Sequence, residues 1–169
     1  NLSENLHYKF ASELEPLLHE KLRTIENKIY SAWPDGKYER KLIDIIWQLL
    51  SYTNNQNEEF IKKILTFIDS KNMTLSKSAL NIFMKLDCPQ RKIASYKFFD
   101  KWKNNNIVLD NWFYFAASVE DSNSIKNIEE LFKHELFDPK SPNTLRSILN
   151  GFVSNNRFFH NKEGKGYKY

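Results

Sequence analysis

Apolar residues recur along most of the chain at intervals of three and four, the period of an amphipathic α-helix, and strict polar–apolar alternation is almost absent. Short polar breaks divide this pattern into eight helical segments. The first is expected over about 3–30, bending near Pro16 and ending before a Trp33-Pro34-Asp35-Gly36 turn. The second, about 38–52, places Leu42, Ile45, Ile46 and Leu49 on one stripe and stops at Asn54-Asn55. A third, about 58–69, presents Phe60, Ile61, Ile64, Leu65 and Ile68 at the same spacing. Thr74 is expected to cap a fourth that runs to Leu86. Pro89 opens a fifth, which carries Ile93, Tyr96, Phe99 and Trp102 and stops at Asn104-Asn105-Asn106. The sixth, about 108–119, spreads Trp112, Phe113, Phe115 and Ala116 around most of its circumference, so other helices must enclose it. A seventh covers about 124–132.

The eighth has the cleanest start. Ser141 is a capping residue and Pro142 suits the first turn, where a missing N–H has no intrahelical partner to lose. Leu145, Ile148, Leu149, Phe152 and Val153 then form one stripe, with Arg146 beside it and able to reach inward. Helices of this length joined by short breaks give an all-α chain, read as an irregular α-solenoid of stacked antiparallel helix pairs of HEAT-like type, although no fixed repeat period is visible. The expectation is a single helical domain over 1–169, built around aromatic residues, which make up 15% of the chain.

Several of these segments match a known family. Ser-Pro-Asn-Thr-Leu-Arg-Ser-Ile-Leu-Asn-Gly-Phe, from Ser141 to Phe152, resembles the Asn-Pro-Asn-Arg-x-Arg-Ser-Leu-Ile-Gly-Ala-Phe segment in the C-terminal helical domain of aminopeptidase N, the bacterial-type zinc aminopeptidases of the gluzincin class. Lys101-Trp102 with Val108-Leu109-Asp110-Asn111-Trp112-Phe113 is similar to the family's Lys-Trp and Val-Met-Asp-Lys-Trp-Phe pair. Asn72-Met73-Thr74, Phe159-His160 and Gly164-Lys165-Gly166-Tyr167 also have counterparts in the same order. The match is best over 72–169. Two departures stand inside it: the family's small Gly-Ala pair reads Asn150-Gly151, and its first arginine position reads Thr144, whereas the second arginine is kept as Arg146.

The resemblance implies a non-catalytic domain that closes a substrate cavity over the catalytic domain of the same polypeptide, the whole enzyme releasing N-terminal residues from peptides. Zinc is then expected in the catalytic domain and no cofactor in this chain. Arg146, at the matching position, is the candidate for contact with a peptide substrate, because a guanidinium offers paired donors to a carboxylate or carbonyl. The alternative for Arg146 is an ion pair that fixes helix packing. Ser141, Pro142, Asn143, Trp102, Trp112, Phe152 and His160 are expected to be structural.

Composition excludes some classes. A mean hydropathy of −0.62, with no apolar run near the roughly 20 residues a spanning helix needs, argues against a membrane role. The +4 net charge is spread among acidic residues and describes a solvated surface, so nucleic acid is not an expected partner. The densest basic stretch is Lys162, Lys165 and Lys168. Cys88 is the single cysteine, which removes a disulfide framework and fits a reducing, cytoplasmic setting. Chemistry of the zinc-peptidase kind needs two histidines one helical turn apart. Here His19-Glu20 leads to Arg23 and His134-Glu135 to Asp138, so neither supplies that pair and no metal site is expected. The chain is expected to be a piece of a longer polypeptide, with apolar surface uncovered near the Pro142 helix and the 159–169 tail. The rival reading is a free-standing helical-repeat scaffold that binds a protein or nucleic acid, and a coding sequence that continues upstream into His-Glu-x-x-His separates the two.

Overall fold

In the computed structural model, residues 2–26, 36–54, 57–121, 123–160 and 164–168 are described. The Trp33-Pro34-Asp35 part of the expected turn, together with Asn55 and Lys162, lies outside them. Among the described residues there are helices and turns and no strand, so the all-helical fold class read from the sequence holds. The chain divides into two compact units, 1–90 and 91–169.

The first unit contains α1 (Leu2–Glu26), α2 (Lys37–Thr53), α3 (Glu58–Ile68) and α4 (Met73–Lys85). α1 runs through Pro16 and packs on α2, while α2 and α3 both pack on α4. The buried stripe of α2 is Ile43, Ile46, Trp47 and Leu50, one position on from the expected one, and Ile45 is exposed. Trp47 causes the difference. Its large ring is fully buried against Phe67, with centroids 4.6 Å apart, and a helix that buries position 47 also buries 43 and 50. The start of α4 also differs from expectation: Asn72, not Thr74, is the cap. Its side-chain oxygen accepts the N–H groups of Thr74 at 3.0 Å and Leu75 at 3.3 Å, donors that the first turn leaves without partners. Ser76, fully buried, returns its hydroxyl to the Ile68 carbonyl at 2.7 Å and so joins α3 to α4.

The second unit contains α5 (Gln90–Trp102), α6 (Asn106–Ala117), α7 (Ser124–Phe132), α8 (Pro142–Ser154), a short α9 (Asn156–Phe159) and a 3₁₀ turn, Lys165–Lys168. Neither of the last two was expected. On α5 the buried positions are Ala94 and Phe98, and Ile93 and Tyr96 are exposed, again a rotation of the expected stripe. Phe99 and Trp102 are half-buried. Asn105, read as part of a stop, begins α6 by accepting the Val108 N–H. α6 packs most extensively on α8 and also on α7. Leu109, Phe113 and Ala117 of α6 join Ile128, Leu131, Ile148 and Phe152 in one apolar core, against which Phe99 and Trp112 lie. Trp112 spans to α5, its Nε1 donating to Ser95 Oγ at 3.0 Å and its ring tilted over Phe99.

Near the Pro142 helix and the tail, Leu145, Val153 and Tyr167 are exposed. Exposed apolar residues also fall on α1, where Leu6, Phe10 and Leu17 share one outward stripe. Lys165 and Lys168 lie exposed on the 3₁₀ turn.

Candidate functional site

The site that contains Arg146 is built by α6 and α8. Ser141 caps α8 as expected, accepting the Thr144 N–H, with Pro142 in the first turn. Thr144 is buried. Its hydroxyl donates to Asp110 Oδ1 of α6 at 2.7 Å and lies 3.1 Å from Ser141 Oγ, which ties the start of α8 to α6. One turn from the other end, Gly151 sits against the α6 backbone. A Cβ placed there would stand 2.2 Å from the Tyr114 carbonyl oxygen and 2.9 Å from the Ala117 Cβ, so the two helices approach as closely as they do because this residue has no side chain.

These two contacts set the rotation of α8. Thr144, Ile148, Gly151 and Phe152 form the buried stripe, while Leu145 and Val153, expected inside it, are 36% and 46% exposed. Arg146 is therefore not beside the buried stripe. It lies further round the helix, exposed, on the rim of a shallow open groove of about 360 Å³. Ile107, Asp110, Asn111 and Tyr114 of α6 and Asn143, Arg146, Ser147 and Asn150 of α8 line this groove, a three-four-seven spacing on each helix. Among the described residues Arg146 has no hydrogen-bond or ion-pair partner. Asp110, the one carboxylate on the groove, is engaged by Thr144. Asn143, expected to be structural, stands exposed on the same wall, and its side chain makes no hydrogen bond among the described residues.

The remaining candidates lie in the core and the tail. Phe152 is buried and meets Phe159 edge-on, with centroids 5.5 Å apart. His160 Nδ1 is hydrogen-bonded to the Tyr167 hydroxyl, and the Tyr167 ring tilts over Phe159. Gly166 makes this closure possible, because a Cβ there would meet the Phe159 carbonyl at 2.2 Å. Trp102 has Lys101 Nζ 5.2 Å from its ring centroid.

Sequence reasoning missed Asn155. It is fully buried; its amide donates to the Val119 carbonyl at 2.7 Å and Ser124 Oγ at 3.1 Å, and its oxygen accepts the Phe158 N–H. One side chain thus joins the α6–α7 connection to the end of α8.

The donor set does not fit a zinc ion. His19 faces Glu15 at 3.6 Å, and His134 is packed among the rings of Phe99, Trp112 and Phe113 with its Nδ1 accepting the Leu136 N–H. No cluster of three or more metal-ligating side chains occurs among the described residues. No described helix is long and apolar enough to cross a membrane.

An all-helical domain of the ARM and HEAT repeat type is what the fold defines. The chain belongs to the family described as a domain of unknown function, DUF3458_C, ARM repeats, whose model matches residues 1–169. It is 33% identical to aminopeptidase N of Haemophilus influenzae over 121 residues, covering 71% of this chain and 14% of that protein. It is 32% identical to aminopeptidase N of Escherichia coli over 102 residues, covering 60% of this chain and 12% of that protein. The resemblance to the C-terminal helical domain of aminopeptidase N is thus borne out, and the chain spans about one-seventh of these relatives' length or less. In fold it is similar to Legionella pneumophila aminopeptidase A, solved in complex with aspartic acid, with a TM-score of 0.84 at 23% identity over 98% of this chain and 20% of that one.

Proposed function

We propose that this chain is the non-catalytic helical domain of a zinc-dependent aminopeptidase N, lying over the catalytic domain of the same polypeptide and closing the cavity in which peptides lose their N-terminal residues. The observation that carries the reading is Arg146, a matching family position whose guanidinium has no partner among the described residues and lies on an open groove. Within the proposal the zinc, held by the catalytic domain, supplies an activated water for attack on the first peptide bond. This chain's own residues bind and orient. Arg146 meets the far end of the peptide through charge-assisted hydrogen bonds, and the α6–α8 contact at Gly151 keeps the wall that carries it rigid. A reducing, cytoplasmic setting belongs to the same proposal and is supported by the free thiol of Cys88.

The coding sequence upstream is expected to carry His-Glu-x-x-His with a third glutamate ligand, and its absence would overturn the reading. In the longer enzyme Arg146→Ala is expected to lower kcat/KM for peptides about ten- to a hundredfold, the worth of a charge-assisted hydrogen bond, and to leave a short aminoacyl reporter unchanged. Equal losses on both, with a lower Tm, would assign Arg146 to packing instead.

A further inference from the structure

α1 is apolar on two faces. Ala11, Leu22 and Ile25 are buried on one side, and α1 packs on α2; Leu6, Phe10 and Leu17 lie about 110° further round the helix and are 60%, 53% and 61% exposed. Their four- and seven-residue spacing makes a continuous seam along the helix. In a stack of helical repeats the outermost helix needs a polar outer face to stay soluble, whereas an inner helix is apolar towards both neighbours. α1 has the second pattern.

The charges beside the seam say what fits it. Lys9, Glu13 and Glu20 follow one another along one flank, all three exposed and none with an ion-pair partner among the described residues. A helix laid alongside α1 satisfies them by offering a carboxylate to Lys9 and basic residues to Glu13 and Glu20, with its own apolar stripe on the seam. The area decides whether that helix arrives free or tethered. Three side chains a little over half exposed offer roughly 300 Å². Freely associating proteins bury about 800 Å² on each partner, so a second copy of this chain is held too weakly. A helix joined to the chain needs far less contact, because the linkage raises its local concentration to the millimolar range.

We infer that the Leu6–Phe10–Leu17 face of α1 is a stacking surface for another amphipathic helix of the same polypeptide, one whose charges run opposite to Lys9, Glu13 and Glu20. This rests on the proposal that the chain is one domain of a longer enzyme and adds the face by which α1 joins a further helix of it.

The test compares this chain alone with the longer enzyme by hydroxyl-radical footprinting. Burial of Phe10 from 53% exposure to the 8% of Leu109 is expected to slow its oxidation about sixfold in the longer enzyme, with Leu6 and Leu17 protected alongside it. In the longer enzyme Phe10→p-benzoylphenylalanine is expected to photo-cross-link to a helix outside the domain proposed to hold zinc. Glu13→Lys combined with Glu20→Lys should lower that cross-link yield several-fold and leave the Tm of this chain alone unchanged. Equal oxidation of Phe10 in the two proteins would overturn the inference. So would a cross-link to the zinc-holding domain, with the proposed function left standing, or protection that appears in this chain alone as its concentration rises, which would make a second copy the occupant. Protection by a helix in a longer polypeptide that lacks His-Glu-x-x-His would uphold the stacking surface and overturn the proposed function.

Discussion

Replacing Gly151 with alanine tests how the groove is held together. In an isolated helix the change is favourable by about 1 kcal/mol, because alanine loses less backbone freedom than glycine. Here the new Cβ would stand 2.2 Å from the Tyr114 oxygen, where ordinary contact begins at 3.4 Å, and 2.9 Å from the Ala117 Cβ. The obstacle is α6 backbone, which has no rotamer to change, so α8 must move away by more than an ångström. Overpacking of this kind costs about 1–3 kcal/mol, and a clash with backbone belongs at the upper end. The net loss is then about 2 kcal/mol after the propensity gain. For a unit the size of 91–169, each kcal/mol lowers Tm by about 4–8 °C, so a fall of about 10 °C is expected in a calorimetric melt. Asn150→Ala is the control: the neighbouring position is exposed, so the propensity gain should appear there without the clash. A Gly151→Ala chain that melts as high as the parent would refute the idea that this contact sets the α6–α8 spacing.

Other substitutions give separate readouts. Asn155→Ala removes a buried amide from the Val119 carbonyl and Ser124, and urea unfolding should show a loss of about 1–3 kcal/mol; an unchanged midpoint would mean the network adds nothing. Arg146→Ala should leave stability within about 0.5 kcal/mol, as for an exposed side chain with no partner, and a drop of several degrees in Tm would contradict the unpaired state. Gly166→Ala should push the 3₁₀ turn off the Phe159 carbonyl and break the His160–Tyr167 bond, seen as a changed His160 ring signal in NMR, while the α6–α8 core keeps its methyl shifts.

The helices were legible in the sequence because the three-four periodicity and the polar breaks agree with each other at every long segment. The faces were less so, and the errors share a cause. On α2, α5 and α8 the expected stripe followed the most apolar residues, whereas the buried stripe follows the residues that permit the closest approach or demand the most room. Ala94 and Gly151 are buried because helices come close there, and Trp47 because nothing else can shelter its ring. Apolarity ranks none of these three correctly. Asparagines misled in a similar way. The sequence points to Thr74 as the cap of α4 and to Asn105 as part of a stop, but Asn72 and Asn105 accept first-turn N–H groups and so start the helices that follow.

The groove was only half legible, and the missing half explains its chemistry. The motif from Ser141 to Phe152 singles out Arg146, and its two departures, Thr144 and Asn150-Gly151, fall where the packing of α8 is decided. Thr144, at the family's first arginine position, satisfies Asp110 with a buried hydroxyl, and Arg146 is the cationic side chain on the groove among the described residues. With glycine at 151 the α6 backbone packs directly against α8, and the neighbouring Asn150 stands on the groove. Thr144 and Gly151 thus hold α8 against α6, which turns Asn143, Arg146 and Asn150 to the open side of the groove.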